Sequence, residues 1–127
     1  MSVTVLDAGA LIALESDDRG LWGALKLAAR RGEDVLVPST ALAQVWRGGP
    51  AQAHLSRALE HCVVAPFDAH ARAVGELCGK AGTRDICDAH AAITAVASGG
   101  VLYTSDVADL RRLVRALGCP STTILRC

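Results

Sequence analysis

Aromatic side chains are almost absent: Trp22, Trp46, Phe67 and Tyr103 are the only ones in 127 residues. Hydrophobic residues nevertheless make up 51% of the chain, so the core has to be aliphatic, built from Ala, Leu and Val. Four scattered rings exclude the stacking platforms on which aromatic-sheet nucleic-acid modules depend. An excess of charge is lacking too. Thirteen basic residues balance thirteen acidic ones, so no global field draws the chain onto nucleic acid. Low charge with high apolar content also excludes disorder. The longest uncharged stretch, 89–105, contains His90, Gly99-Gly100 and several hydroxyls, which argues against a membrane span. The start, MSVTVLDAGALIAL, has no basic segment, and Asp7 interrupts its apolar run; a signal peptide is not expected. The cysteines (62, 78, 87, 119, 127) are odd in number and without C-x-x-C spacing. They point to free thiols in a reducing cytoplasm rather than a disulfide scaffold.

What is present is alternation. Short Val/Leu/Ile runs, VTVL (3–6), VLVP (35–38), VVAP (63–66), VLYT (101–104) and TTILR (122–126), read as strands, the last as an edge strand. Helical patterns lie between them, over about 8–16, 19–31, 40–46, 51–61, 68–79, from Thr83 or Asp85 to 98, and 107–117. Ser39 or Thr40 and Asp68 are read as caps, and Gly32, Gly48-Gly49-Pro50 and Gly99-Gly100 as stops. Continuously apolar strands separated by helices imply one α/β domain over 1–127. Its mostly parallel sheet has about five strands, with helices on both faces. Right-handed crossovers then bring all strand carboxyl ends to one edge, where ligands of such sheets bind.

The acids gather at that edge. Asp7 follows VTVL directly, and Asp106 follows VLYT after one residue. Asp85 and Asp88 open the helix that leads into VLYT, and Asp109 lies one turn beyond Asp106. Ionised carboxylates within ~6 Å of one another raise each other's pKa unless a cation intervenes. A hard divalent ion, Mg²⁺ or Mn²⁺, suits oxygen ligands and is the usual partner of such carboxylates in phosphodiester hydrolysis. Asp85-x-x-Asp88 and Asp106-x-x-Asp109 also fit helix caps with an acidic third residue, which needs no chemistry. Asp7 tips the balance toward a site. It stands between a buried strand and the apolar AGALIAL, where packing favours an apolar residue.

Other motifs are missing or weak. There is no G-x-G-x-x-G, no Gly-Lys-Ser/Thr and no G-x-S-x-G. Cys87-x-x-His90 lacks a second half-site, so it reads as a buried thiol and a helix histidine rather than a zinc site. His54, His61 and His70 have no partner at useful spacing. A phosphoacceptor receiver domain would need a paired acid beside Asp7 and a late Lys, and no Lys follows Lys80.

VTVLDAGALIAL, DVLVPSTALAQVWR, DICDAHAAITAVASGG and VLYTSDVADLRRL together resemble, over nearly the whole chain, the PIN-domain ribonucleases, especially the VapC-type toxins of bacterial toxin–antitoxin pairs. The resemblance implies a PIN domain and a metal-dependent endoribonuclease whose catalytic and metal-holding acids are Asp7, Asp88 and Asp106. Asp85 and Asp109 would support them. Gln44 stands where the family commonly carries Glu; an amide oxygen still coordinates or holds a water, but brings no charge. Thr104 and Ser105 would steady a phosphate or water, or simply end the strand and cap the helix. Arg47 and Arg84 would flank the pocket and contact substrate. The resemblance also implies an RNA substrate, a cognate antitoxin lying across the groove, and a homodimer. Trp46, beside Gln44, would line the rim and Trp22 either the interface or the core. The competing reading, motivated by Gln44, is a non-catalytic PIN-like module that binds RNA or a protein.

Overall fold

The computed structural model describes residues 2–127. Its strands are short, and the central ones are covered on both sides, which is why their sequences are apolar without alternation, while the two edge strands expose Val63, Val64 and Leu125. They are β1 (Thr4–Leu6), β2 (Val35–Pro38), β3 (Val63–Ala65), β4 (Val101–Thr104) and β5 (Ile124–Arg126). The sheet order is β3-β2-β1-β4-β5, and every pairing is parallel. From β1 the chain first builds outward to β2 and β3, then returns to place β4 on the other side of β1. The order therefore reverses between β1 and β4, and their carboxyl ends flank the crevice where α/β sheets bind ligands.

Seven α-helices cover the sheet. On one face lie α1 (Ala8–Glu15), α2 (Arg19–Arg30), α3 (Ser39–Val45) and α4 (Ala53–Leu59). On the other lie α5 (Ala71–Ala81), α6 (Ile86–Ser98) and α7 (Val107–Ala116). Successive strand residues feed opposite layers: Val5 packs with α5, α6 and α7, and Leu6 with α1 and α2. The core is aliphatic as the composition requires, its largest fully buried side chains being Leu, Val and one histidine, His90. Ala89, Ala91, Ala92 and Ala95 keep α6 thin, so that it lies in the middle of its layer, in contact with α5, α7 and three strands. Gly99, in left-handed conformation (φ 67°), ends it.

Three local expectations are corrected. Neither Ser39 nor Thr40 caps α3; the cap position is Pro38, without a side-chain bond, and the Thr40 hydroxyl instead meets His90 Nδ1 at 2.8 Å. Asp68 caps no α-helix: it begins a 3₁₀ turn to His70, and α5 starts at Ala71. The helix expected over 51–61 is a 3₁₀ turn, Pro50–Gln52, followed by α4. Proline at the first position of that turn has no N–H to place in a helix ladder. The buried amide of Gln52 then staples the turn after α3. Its Oε1 accepts from the N–H of Arg47 (2.8 Å) and of Gly48 (2.9 Å), while its Nε2 donates to the Val45 carbonyl (2.9 Å).

Candidate active site

Three helix starts meet at the crevice, each capped by an aspartate. Asp7 Oδ1 accepts from the Ala10 N–H at the start of α1 (2.9 Å). Asp85 Oδ1 accepts from the Asp88 N–H at the start of α6 (2.9 Å), and Asp106 Oδ1 from the Asp109 N–H at the start of α7 (3.3 Å). The capping role foreseen for both Asp-x-x-Asp pairs is real, and the pairs also act on one another's charge.

Asp7 is only 5% exposed. Burial pushes its carboxyl above the usual aspartate range, against the Thr104 hydroxyl and the N–H groups of Ala10 and Gly9; the charge of Asp106 adds to the rise. Asp88, half-buried, is pushed up to about 7, by burial first, then by the charge and hydrogen bonding of Asp85 and by the charges of Asp7 and Asp106. Exposed Asp109 is raised by Asp106, and Arg112 opposes that. The main influences on Asp7 and Asp88 are burial, a hydroxyl, N–H groups and other acids; no Lys or Arg is among them. Helix starts and N–H groups compensate part of the negative charge, and the rest is unbalanced.

Thr104 joins two of these acids. It is fully buried, its Oγ1 accepts from the Asp106 N–H (2.9 Å), and its hydroxyl acts on Asp7. It positions the acids rather than facing open space. Ser105 is exposed; its carbonyl accepts from Arg126 Nη1 (3.0 Å), and its backbone and side chain lie against Gly9. A Cβ on Gly9 would stand 2.9 Å from the Ser105 Cβ and 3.1 Å from its N, so only glycine lets α1 approach the β4–α7 turn this closely. Gly9 escaped the sequence reading, although glycine in the first turn of an otherwise strong helix former was a signal for it.

The remaining candidates lie at the surface or in the core around the acids. Gln44 is exposed on α3, and its amide makes no hydrogen bond among the described residues. Arg47 folds back onto its own helix, with Nη1 donating to the carbonyls of Trp46 (2.7 Å) and Ala43 (3.3 Å). Arg84 is exposed beside Asp85, without a hydrogen bond among the described residues. Cys87 and His90 both meet Thr40, one at its carbonyl and the other at its hydroxyl. Cys87 Sγ approaches the Thr40 carbonyl (3.6 Å), and its thiol is raised by burial and by Asp85 and Asp88. The His90 ring lies in the core against Phe67, and its Nε2 has no partner. Burial lowers its pKa, which favours the neutral ring.

The donor set is oxygen-only and short of positive charge, which suits Mg²⁺ or Mn²⁺. Among the described residues, no three His, Cys, Asp or Glu side chains already converge tightly enough to wrap one ion. Mg²⁺ does not need that: it keeps several waters and takes one or two carboxylates directly, with the others acting through water. The residues fit an ion held in this way.

No protein-family model matches the chain. No curated protein matches its sequence. Among solved structures, it is similar to a chain of VapBC2 from Rickettsia felis, crystallised bound to a DNA fragment from their promoter. The identity is 18%, 98% of each chain is covered, and the TM-score is 0.71. At that identity the likeness is one of fold, and it spans the chain: the five-stranded parallel sheet with helices on both faces is an α/β fold of the PIN-like kind.

Proposed function

We propose that residues 1–127 form a PIN-type, divalent-metal-dependent endoribonuclease, the toxin of a toxin–antitoxin pair. The observation that carries this reading is the gathering of Asp7, Asp88 and Asp106 at the crevice between β1 and β4: burial and the charges of neighbouring acids raise Asp7 and Asp88, and no Lys or Arg is among their main influences. Asp7, Asp88 and Asp106 would hold the ion, with Asp85 outside them. Once bound, Mg²⁺ or Mn²⁺ supplies a nucleophilic water near neutral pH and balances charge on the in-line phosphodiester transition state. Asp7 is fixed by its cap bond to Ala10 and by Thr104, so it offers its free oxygen without reorganisation. Asp88, pushed up to about 7, would give up any proton it holds on taking a cation. Asp109, at the exposed rim beside Asp106, would support the acids from outside. In the test, purified protein with Mn²⁺ cleaves single-stranded RNA and chelator stops it; cleavage indifferent to chelator contradicts the reading.

The non-catalytic alternative rests on Gln44, whose exposed amide brings no charge to the crevice. Gln44→Glu adds a carboxylate on that side and should tighten Mn²⁺ binding severalfold in a calorimetric titration. Unchanged affinity would remove Gln44 from the site.

A toxin of this kind works with a cognate antitoxin and as a homodimer, in a reducing cytoplasm that suits its five free cysteines. Trp46, 40% exposed at the end of α3, supports a protein contact. Trp22 supports it less: it is half-buried, and its ring Nε1 donates to the Leu14 carbonyl (3.2 Å). No helix among the described residues is long and apolar enough to cross a membrane. Sedimentation should show a dimer, and Trp46→Ala should weaken either self-association or capture of the protein encoded beside this one. A monomer at high concentration, with unchanged capture by the variant, would contradict both contacts.

A further inference from the structure

A second groove, of about 550 Å³, opens between α7 and β5 and is lined by Val107, Ala108, Arg111, Arg112, Arg115 and Arg126. It contains four arginines and no acid. It begins where the acids end, because Val107 follows Asp106 directly and Arg126 Nη1 is tied to the Ser105 carbonyl (3.0 Å). Arg112 Nη1 is likewise tied to the Ala81 carbonyl at the end of α5 (2.9 Å). A guanidinium has five N–H donors, so one bond to a carbonyl orients each group and leaves donors for another acceptor. Arg115 lies in the last turn of α7, where the helix dipole favours a cation. Arg111 lies a turn earlier, and like charges at i and i+4 repel. Nothing that lines the groove offsets this repulsion. A polyanion would.

We infer that this groove binds the sugar-phosphate backbone of the RNA strand and leads it over the β4–β5 side of the sheet to the acids. The inference rests on the nuclease reading for the identity of the strand. The acid cluster alone repels phosphate, so a strand needs cations directly beside it to stay. Arginine is suited to this by its bidentate contact with phosphate oxygens. The contact is to backbone rather than bases, so the groove adds affinity without sequence preference.

Binding is measurable without cleavage. A fluorescent single-stranded RNA of twelve nucleotides, in chelator, is titrated with the intact protein at several salt concentrations. The double variant Arg111→Ala/Arg115→Ala should bind at least about tenfold more weakly at ~50 mM salt, with a salt slope shallower by roughly 1.4, for two lost single-strand phosphate contacts. Both sites are exposed, and alanine is the better helix former, so α7 should persist. Arg30→Ala/Arg31→Ala removes the same charge from the exposed end of α2 and should leave the slope unchanged. Equal loss in both double variants, wild-type binding by the α7 variant, or no RNA binding by the wild type would overturn the groove. Equal affinity for poly-glutamate would overturn its assignment to RNA and favour an acidic peptide. Because no metal is present, groove-dependent binding without Mn²⁺-dependent cleavage would sink the nuclease reading and leave the groove standing.

Discussion

Asp7→Asn should lower Mn²⁺-dependent RNA cleavage by on the order of a thousandfold, a loss of about 4 kcal/mol in transition-state stabilisation. The same variant should fold at least as well as wild type. Asparagine is as good a helix cap as aspartate, so its side-chain oxygen can keep the bond to the Ala10 N–H at the start of α1. It also removes a charge that burial disfavours. Chemistry and stability are thus separated at one atom, since Oδ2 becomes an amide nitrogen that no longer accepts a cation. Parallel cleavage rates and thermal melts check this. A variant as active as wild type, or one inactive only because it is unfolded, contradicts the role given to Asp7.

Stability of the metal-free protein should fall as pH rises from about 4 to about 7. The Asp88 carboxyl is pushed up to about 7 from an ordinary 3.8, so across that window the folded chain holds a proton that the unfolded chain has released. The favourable balance is fully present below the ordinary value and lost through the folded one. With Asp88 half-buried and screened, the loss should be about 1–2 kcal/mol, a few degrees in melting temperature. Asp7 shifts in the same direction and adds to the trend. Saturating Mn²⁺ should return roughly 1–3 kcal/mol at pH 8 and little at pH 5, where the proton competes for the same oxygens. Asp88→Asn should flatten the pH trend and remove most of the Mn²⁺ effect. Melts that rise with pH in the metal-free protein, or an equal Mn²⁺ shift at pH 5 and 8, would contradict the coupled acids.

The sheet was legible because the strands are short, mostly apolar runs, and four of the helix starts carry an aspartate cap: Asp7, Asp18, Asp85 and Asp106. The acids were legible for the same reason: Asp7 and Asp106 lie at strand ends, and a parallel sheet sends every strand end to one edge. Strand order was not legible, because no local pattern states that β4 returns beside β1, and it is that return which brings Asp106 to Asp7. Caps failed where a distant partner outbid the local one. Thr40 has the chemistry of a cap, but its hydroxyl is taken by His90, fifty residues on. Gln52 reads as an ordinary polar residue in a helix, yet its amide is buried under three backbone groups. Gln44, Arg47 and Arg84 were read from resemblance and adjacency alone, and adjacency does not state where a long side chain turns: Arg47 folds back onto the carbonyls of Ala43 and Trp46.

The chemistry of the cut ends tests the central claim most directly. Water that attacks phosphorus in line leaves a linear phosphate monoester on one fragment, whereas attack by the RNA's own 2′-hydroxyl leaves a 2′,3′-cyclic phosphate. Cleavage of a defined single-stranded RNA in ¹⁸O-water with Mn²⁺, read by mass spectrometry, distinguishes them. Linear ends that carry ¹⁸O, formed by the wild type and absent with Asp7→Asn or chelator, are the predicted result. Cyclic ends, or ¹⁸O-labelled ends that persist without Asp7, would contradict a carboxylate-held ion at this crevice.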